Sequence, residues 1–234
     1  MKKFGNLFKI RLKIRFRELD FVFITFALPL VIILLNSSVS SEKIEWFLPG
    51  GIVMIITISA LLGCLSSIVS DKSRGILKLL HIVPGSSVIY LLCEMLITLV
   101  YTLMSISILT GASLLLGAKI KEFNILFFIL TIVLGSLALM SFALIIASFI
   151  NNEKIANALT SVLGTTLVVL SFPPIEIIPS TFKPFIYALP TVPLSDILHQ
   201  ALLGTGGISI IINFIILTSW IVIVIPIIKV FKWK

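Results

Sequence analysis

Long apolar runs separated by short polar breaks make up most of the chain. Six of them fall at about 21–36, 47–70, 87–116, 125–150, 158–171 and 208–228. A helix needs roughly 20 apolar residues to cross the hydrocarbon core of a bilayer, and in lipid only a helix or a closed barrel satisfies its own backbone. The pattern therefore predicts an all-α membrane protein with six transmembrane helices. An even number places both termini on one side. Pro29 is expected to kink the first span, and the fifth is short. The first run follows basic residues as a signal peptide would, but the basic region is too long and five further runs follow.

The breaks carry the rest of the pattern. In residues 1–20, Phe4, Phe8, Leu12, Phe16 and Leu19 share one helical face, on which Arg11 and Arg15 also fall. Residues 10–17 alternate as a strand would, but a lone strand has no partner for its backbone. An amphipathic helix lying on the inner leaflet is the expected form. Trp46 closes an outer loop, 37–46, at the membrane interface, and Pro49-Gly50-Gly51 opens the second span. Residues 117–124 form a tight outer loop and 151–157 an inner one.

Residues 71–84 hold Ile76, Leu79, Leu80 and Val83 at the spacing of one helical face. Asp71 or Ser73 stands where a cap would start that helix, and Pro84 ends it. Lys72, Arg74 and Lys78 mostly avoid the apolar stripe. The expectation is a short amphipathic helix presented to the cytoplasm, with a solvated amphipathic loop as the alternative. Residues 172–205 contain six prolines, Pro173, Pro174, Pro179, Pro184, Pro190 and Pro193, too many for one helix. They are also too apolar for a solvated loop. A broken helical segment re-entering the outer leaflet fits, with Glu176, Lys183, Asp196 and His199 facing the outer surface or a watery vestibule.

Composition agrees with lipid as the main solvent: 59% of residues are hydrophobic and only 12% charged, against about 25% charged in soluble domains. Of 18 Lys and Arg residues, 14 lie in 1–20, 71–86, the loop at Lys154 and the C-terminal end. The outer side holds Lys43, Lys119, Lys121 and Lys183. The positive-inside rule puts both termini and residues 71–86 in the cytoplasm of a multi-pass cell-membrane protein. The net charge of +8 is then a signal for topology and lipid headgroups. Nothing in the motif context points to nucleic acid.

Candidate chemistry is sparse. His81 and His199 fall on opposite sides, and there is no HExxH, GxSxG or Walker A pattern. An enzyme has no positive support, and ATP, if used, must be bound by another chain. Cys64 and Cys93 read as small packing residues rather than a disulfide or metal site. Glu94 is the one ionisable residue within a predicted span. It reads either as a relay or substrate contact or as a headgroup-level carboxylate paired with a nearby Lys or Arg.

The run 47–96 resembles the membrane subunits of ABC-2 type transporters, chiefly bacterial exporters. Pro49, Gly50, Asp71, Lys72, Gly75, Lys78, Leu79 and Pro84 occupy the places of the family pattern, with Asp71 where Glu is common. The run Pro174 to Gly204 resembles the family's outer region through Glu176, Pro179, Pro190 and Asp196, with His199 in place of a frequent Arg. The resemblance implies a single transmembrane domain over 21–234, a second permease subunit, identical or paralogous, and two copies of an ABC ATPase that bind ATP and Mg. It implies that 71–84 is a coupling helix, with Asp71, Lys72, Arg74, Gly75, Lys78, Leu79, Leu80 and Pro84 meeting the ATPase. It also implies that Glu176, Pro179, Pro190, Asp196 and His199 shape an outer exit. The implied function is ATP-driven export of an amphiphilic cargo: a drug, a lipid-like molecule or an antimicrobial or toxic peptide. Polysaccharide export, an ion-coupled carrier and a non-transporting sensor or immunity scaffold are the competing readings.

The charge asymmetry makes a direct prediction. Cysteines substituted at Lys2 and Lys232 are expected to resist an impermeant thiol reagent added outside intact cells. Ready labelling of both would overturn the orientation.

Overall fold

The computed structural model describes residues 2–15, 23–27, 30, 31, 34, 41–77, 86–118, 124–171, 181, 183–204 and 208–230. Among them are nine α-helices: α1 (Lys2–Arg15), α2 (Ser41–Ala60), α3 (Ser67–Ser73), α4 (Ser86–Leu115), α5 (Ile125–Phe149), α6 (Glu153–Ser171), α7 (Lys183–Tyr187), α8 (Thr191–Leu203) and α9 (Ile210–Val230). A π-helical segment, Leu61–Ser66, joins α2 to α3 without a break, and a π-helical turn covers Phe23–Ala27. No strand occurs among the described residues.

Among the described residues, four helices are long and apolar enough to cross a membrane: Ile44–Ser73, Val88–Leu115, Ile125–Phe149 and Glu153–Leu170. Ile210–Pro226 is a shorter apolar helix. These correspond to the second to sixth predicted spans, while most of the first, 21–36, lies outside the described residues.

Three boundaries differ from the sequence reading. The second span begins at Ser41 and carries the buried Pro49 inside it. Ser41–Trp46 supplies helix-compatible Glu and Lys, so the chain winds up before the proline, whose fixed φ the helix accommodates. The fifth span begins at Glu153, because Asn152 caps it: its Oδ1 accepts from the Lys154 amide at 2.9 Å. The helix ending the second span runs on through Asp71 and Lys72 to Ser73, where the predicted amphipathic helix was to begin.

The paired helices α2–α3 and α4 run antiparallel. Gly51 lies against Leu109, Gly63 against Thr98, and Asp71 against Tyr90, so the contacts step in opposite directions along the two helices. At Gly63 a Cβ would stand 2.7 Å from both Cγ2 and Oγ1 of Thr98. The core is a contiguous apolar cluster around Ile52, Ile56, Leu61, Leu65, Tyr90, Leu139, Leu144 and Leu194. Cys64 and Cys93 are buried free thiols within the helix pair, as packing residues should be.

Helices α5 and α9 run side by side in the same direction, with edge-on contacts of Phe127 on Phe214 and Phe142 on Trp220. Between them and α2 sits α8. Its 13 residues reach only about 20 Å, short of the roughly 30 Å of hydrocarbon. Residues 191–198 of α8 are all buried. The chain just before it lies deep: Trp220 Nε1 donates to the Ala188 carbonyl at 2.9 Å, about 15 Å along α9 from its start.

Close contact between α5 and α8 depends on Gly135, where a Cβ would stand 2.4 Å from Leu194 Cδ1. Gly135→Ala is expected to cost about 1–3 kcal/mol by overpacking. The thermal midpoint in lipid nanodiscs should recover when Leu194→Ala is added. Gly164→Ala, whose new methyl would meet Leu61 at an ordinary 3.6 Å, should change little.

Candidate functional site

Residues 70–75 end the second span, and the sequence itself stops the helix there. Gly75 takes φ +76°, a left-handed conformation that glycine adopts without a Cβ clash. Its amide donates to the Lys72 carbonyl at 3.1 Å, and the Arg74 amide donates to Ser70 at 3.0 Å. The last turn is thus closed and its five polar side chains are fixed in direction.

Asp71 points into the protein. Its Oδ2 accepts from Arg11 Nη2 and, at 2.5 Å, from the Tyr90 hydroxyl. The Arg11 guanidinium also lies 4.7 Å from the Tyr90 ring centroid, within cation–π range. Arg11 Nη1 is 3.1 Å from Glu94 Oε1. One turn on, Arg15 Nη2 is 3.3 Å from Glu94 Oε2 and donates to the Gly63 carbonyl. Glu94 is fully buried and Arg15 and Asp71 nearly so. Two guanidinium groups therefore face two carboxylates away from water. Such a set is tolerable because its charges balance, and removing one member leaves an uncompensated buried charge. Burial works against the Arg11 charge, but Tyr90, Glu94 and Asp71 outweigh it and hold its pKa above the ordinary arginine value.

The other side chains of this turn reach the neighbouring helix ends. Lys72 Nζ lies 3.4 Å from the carbonyls of both Ser148 and Ile150, where α5 ends with unpaired carbonyls and the negative end of its dipole. Glu153, in the first turn of α6, accepts from Ser70 at 3.0 Å and Ser73 at 3.4 Å. It also pairs with Arg74 at 3.6 Å. The same short stretch is thereby tied to α1, α4, α5 and α6.

Of the residues predicted to meet a motor, Asp71, Lys72, Arg74 and Gly75 fall in this turn, and Lys78, Leu79, Leu80 and Pro84 lie outside the described residues. Asp71 does not start a helix. It belongs to the end of a span and its carboxylate is spent on Arg11 and Tyr90. Glu94 is paired with arginine, as one reading had it, but is fully buried against α1 rather than at headgroup level. Sequence reasoning missed Arg11, Arg15, Tyr90 and Glu153 as partners. The one available signal was that Arg11 and Arg15, four residues apart, intrude on the apolar face of residues 1–20. Of that face, Phe8, Arg11, Leu12 and Arg15 lie against α4, while Lys9, Ile10, Lys13 and Ile14 are exposed.

At the other end, Glu176 and Pro179 lie outside the described residues. Pro190 is buried at the N-terminus of α8. Asp196 does not face a watery vestibule: it is 5% exposed. Its Oδ2 accepts from Gln200 Nε2 at 3.1 Å, the Ile208 amide at 3.1 Å and Asn213 Nδ2 at 2.7 Å. A carboxylate so bound ties α8 to the start of α9. His199 is half-buried with Nδ1 2.8 Å from the Ser195 carbonyl. Burial pushes its pKa down, against the opposing pull of that carbonyl and of Asp196, so the ring is neutral at pH 7. Burial and the Asp196 charge push the Tyr187 hydroxyl up to about 12. Among the described residues no group of three His, Cys, Asp or Glu side chains is placed to hold a metal ion.

The sequence profile of the family described as "ABC-2 family transporter protein" matches residues 36–228, most of the chain. No curated protein matches it.

Glu94→Ala leaves Arg15 without its buried counter-charge and is expected to cost about 3–5 kcal/mol. Arg74→Ala removes an ion pair whose partners are largely exposed, and should cost at most about 1 kcal/mol. Thermal midpoints of the two variants in nanodiscs check the contrast. A Glu94→Ala protein as stable as Arg74→Ala would mean that the cluster contributes no binding of α1.

Proposed function

This chain belongs to the ABC-2 transporter family, and we propose that it is the membrane permease of an ATP-driven exporter. It is a multi-pass membrane protein of a family of transport subunits that work with an ABC ATPase. In our reading, residues 71–84 are the coupling segment that docks on that ATPase. Two ATPase copies and a second permease subunit complete the transporter, and both termini lie in the cytoplasm. The observation that carries the reading is the turn Ser70–Gly75, whose side chains reach four other helices. A displacement applied just beyond Gly75 is thereby shared among the ends of α1, α4, α5 and α6 instead of being absorbed by one loop.

The least buried span, α6, supports a second permease subunit and an amphiphilic cargo. Asn157, Ser161 and Thr165 recur every four residues on its exposed side, beside the exposed Val162 and Val169. A face of mixed amide, hydroxyl and apolar groups suits a cargo path or a protein interface better than it suits lipid chains. In the same reading, the segment 172–205 is the outer re-entrant element at the exit. Pro190 breaks the helix there, and Asp196 anchors α8 to α9.

The test is purification with a candidate ABC ATPase, reconstitution in liposomes and measurement of cargo-stimulated ATP hydrolysis and transport. Arg74→Glu, or Leu79→Asp with Leu80→Asp, is expected to abolish association or to uncouple hydrolysis from transport, since a charge buried in the docking face costs several kcal/mol. Unchanged association and unchanged transport would remove the coupling role. Failure of the unaltered chain to bind any ATPase would favour a non-transporting membrane scaffold.

A further inference from the structure

We infer that Arg15 is a positioning residue for transport: it latches α1 to the π-helical segment Leu61–Ser66 and so fixes the register of the turn Ser70–Gly75 against the rest of its span. The inference rests on the permease reading above.

The first ground is the segment itself. The span Ile44–Ser73 is α-helical on both sides of Leu61–Ser66. A ladder of i→i+5 bonds is rare, appears mostly in single turns and favours functional positions. It holds an extra residue in its turn. Passing between the π and α ladders therefore rotates everything on one side of the segment relative to the other.

The second ground is what lies on either side. Toward its start, the span is packed through Gly51 on Leu109 and by the core. Toward its end, Asp71, Lys72 and Glu153 tie the last turn to four helices. The π segment is the junction between two anchored halves.

The third ground is the reach of Arg15. A single nitrogen, Nη2, contacts both the Gly63 carbonyl and Glu94 Oε2. Gly63 has no side chain to screen that carbonyl, and α4 approaches so closely there that a Cβ would collide with Thr98. The segment's backbone thus becomes sensitive to the position of α1. Helix α1 in turn presents Lys9, Ile10, Lys13 and Ile14 outward, so its inward face, with Phe8, Arg11, Leu12 and Arg15, makes its contact with α4. Engaged, Arg15 favours the π form. Withdrawn with α1, it releases the carbonyl and the segment passes to the α ladder, turning the residues that lead to the coupling segment.

A simpler role for Arg15, neutralising Glu94, makes a different prediction. Lysine carries the same charge and can neutralise Glu94, but its ammonium ends one bond short of Nη2, so it does not hold the Gly63 carbonyl and Glu94 Oε2 in the same geometry. In the reconstituted complex with its ATPase, Arg15→Lys is expected to assemble and hydrolyse ATP while transport per ATP falls about tenfold, within the usual range of coupling between sites. Transport per ATP equal to the unaltered chain would overturn the latch. A second measurement needs no variant: amide hydrogen exchange in residues 2–15 and 61–66 of the unaltered complex, with and without a non-hydrolysable ATP analogue. Both segments should change protection together, and constant protection in both would overturn the inference. An unaltered complex without ATP-driven transport would instead remove the permease reading itself.

Discussion

Charge balance in a space without water is the constraint on which this end of the molecule depends. Asp71 closes the second span and Glu94 sits within the third, both turned inward. Neither carboxylate is tolerable there alone, since desolvation exceeds what a single distant charge returns. The N-terminal helix supplies the answer with Arg11 and Arg15, one turn apart, so that two guanidinium groups meet two carboxylates. Tyr90 completes the set by donating to Asp71 and stacking under Arg11. The orientation of α1 follows directly. Its arginines must face the protein, which leaves Ile10 and Ile14 outside beside Lys9 and Lys13, a composition suited to the headgroup boundary.

Close helix approach makes this balance geometrically possible. Gly63 brings the backbone of the second span within reach of Thr98 and of the Arg15 side chain, and Gly135 does the same for α5 and Leu194 of α8. With lipid on the outside, such approaches and interhelical polar contacts hold spans together, because apolar burial alone does not distinguish a neighbouring helix from lipid. The Lys72 contacts with the carbonyls ending α5, and the Ser70 and Ser73 bonds to Glu153, extend this logic to the loop between the fourth and fifth spans. At the other end, Asp196 plays the corresponding part for α8 and α9, gathering three N–H donors on one oxygen.

Much of the fold was legible in the sequence because the bilayer enforces it. Apolar runs gave helices at the second to sixth predicted positions, the motif around 47–96 gave the family, and within 172–205 the described residues form two short helices, α7 and α8, on either side of 188–190. Boundaries were less legible. Ser41–Trp46 reads as a loop on hydropathy alone, and only the helix propensity of residues such as Glu42, Lys43 and Glu45 carries the helix back beyond Pro49. Gly75 was seen as part of a motif, but its role is to end the span.

By itself the sequence determined that this chain lives in lipid, where its long apolar helices fall, and which family it belongs to, since hydropathy and short motifs are local properties. Only the tertiary structure decided which charges meet. Arg11 and Asp71 are 60 positions apart and Arg15 and Glu94 are 79, and no periodicity within either segment reports on the other. The two arginines on an apolar face were a visible anomaly, but their partners became identifiable only once α1 lay on α4. For the same reason Asp196, polar and placed among prolines, read as water-facing until α9 brought Asn213 and the Ile208 amide to it. A buried carboxylate is satisfied by whatever donors packing delivers, and packing is a property of the whole chain.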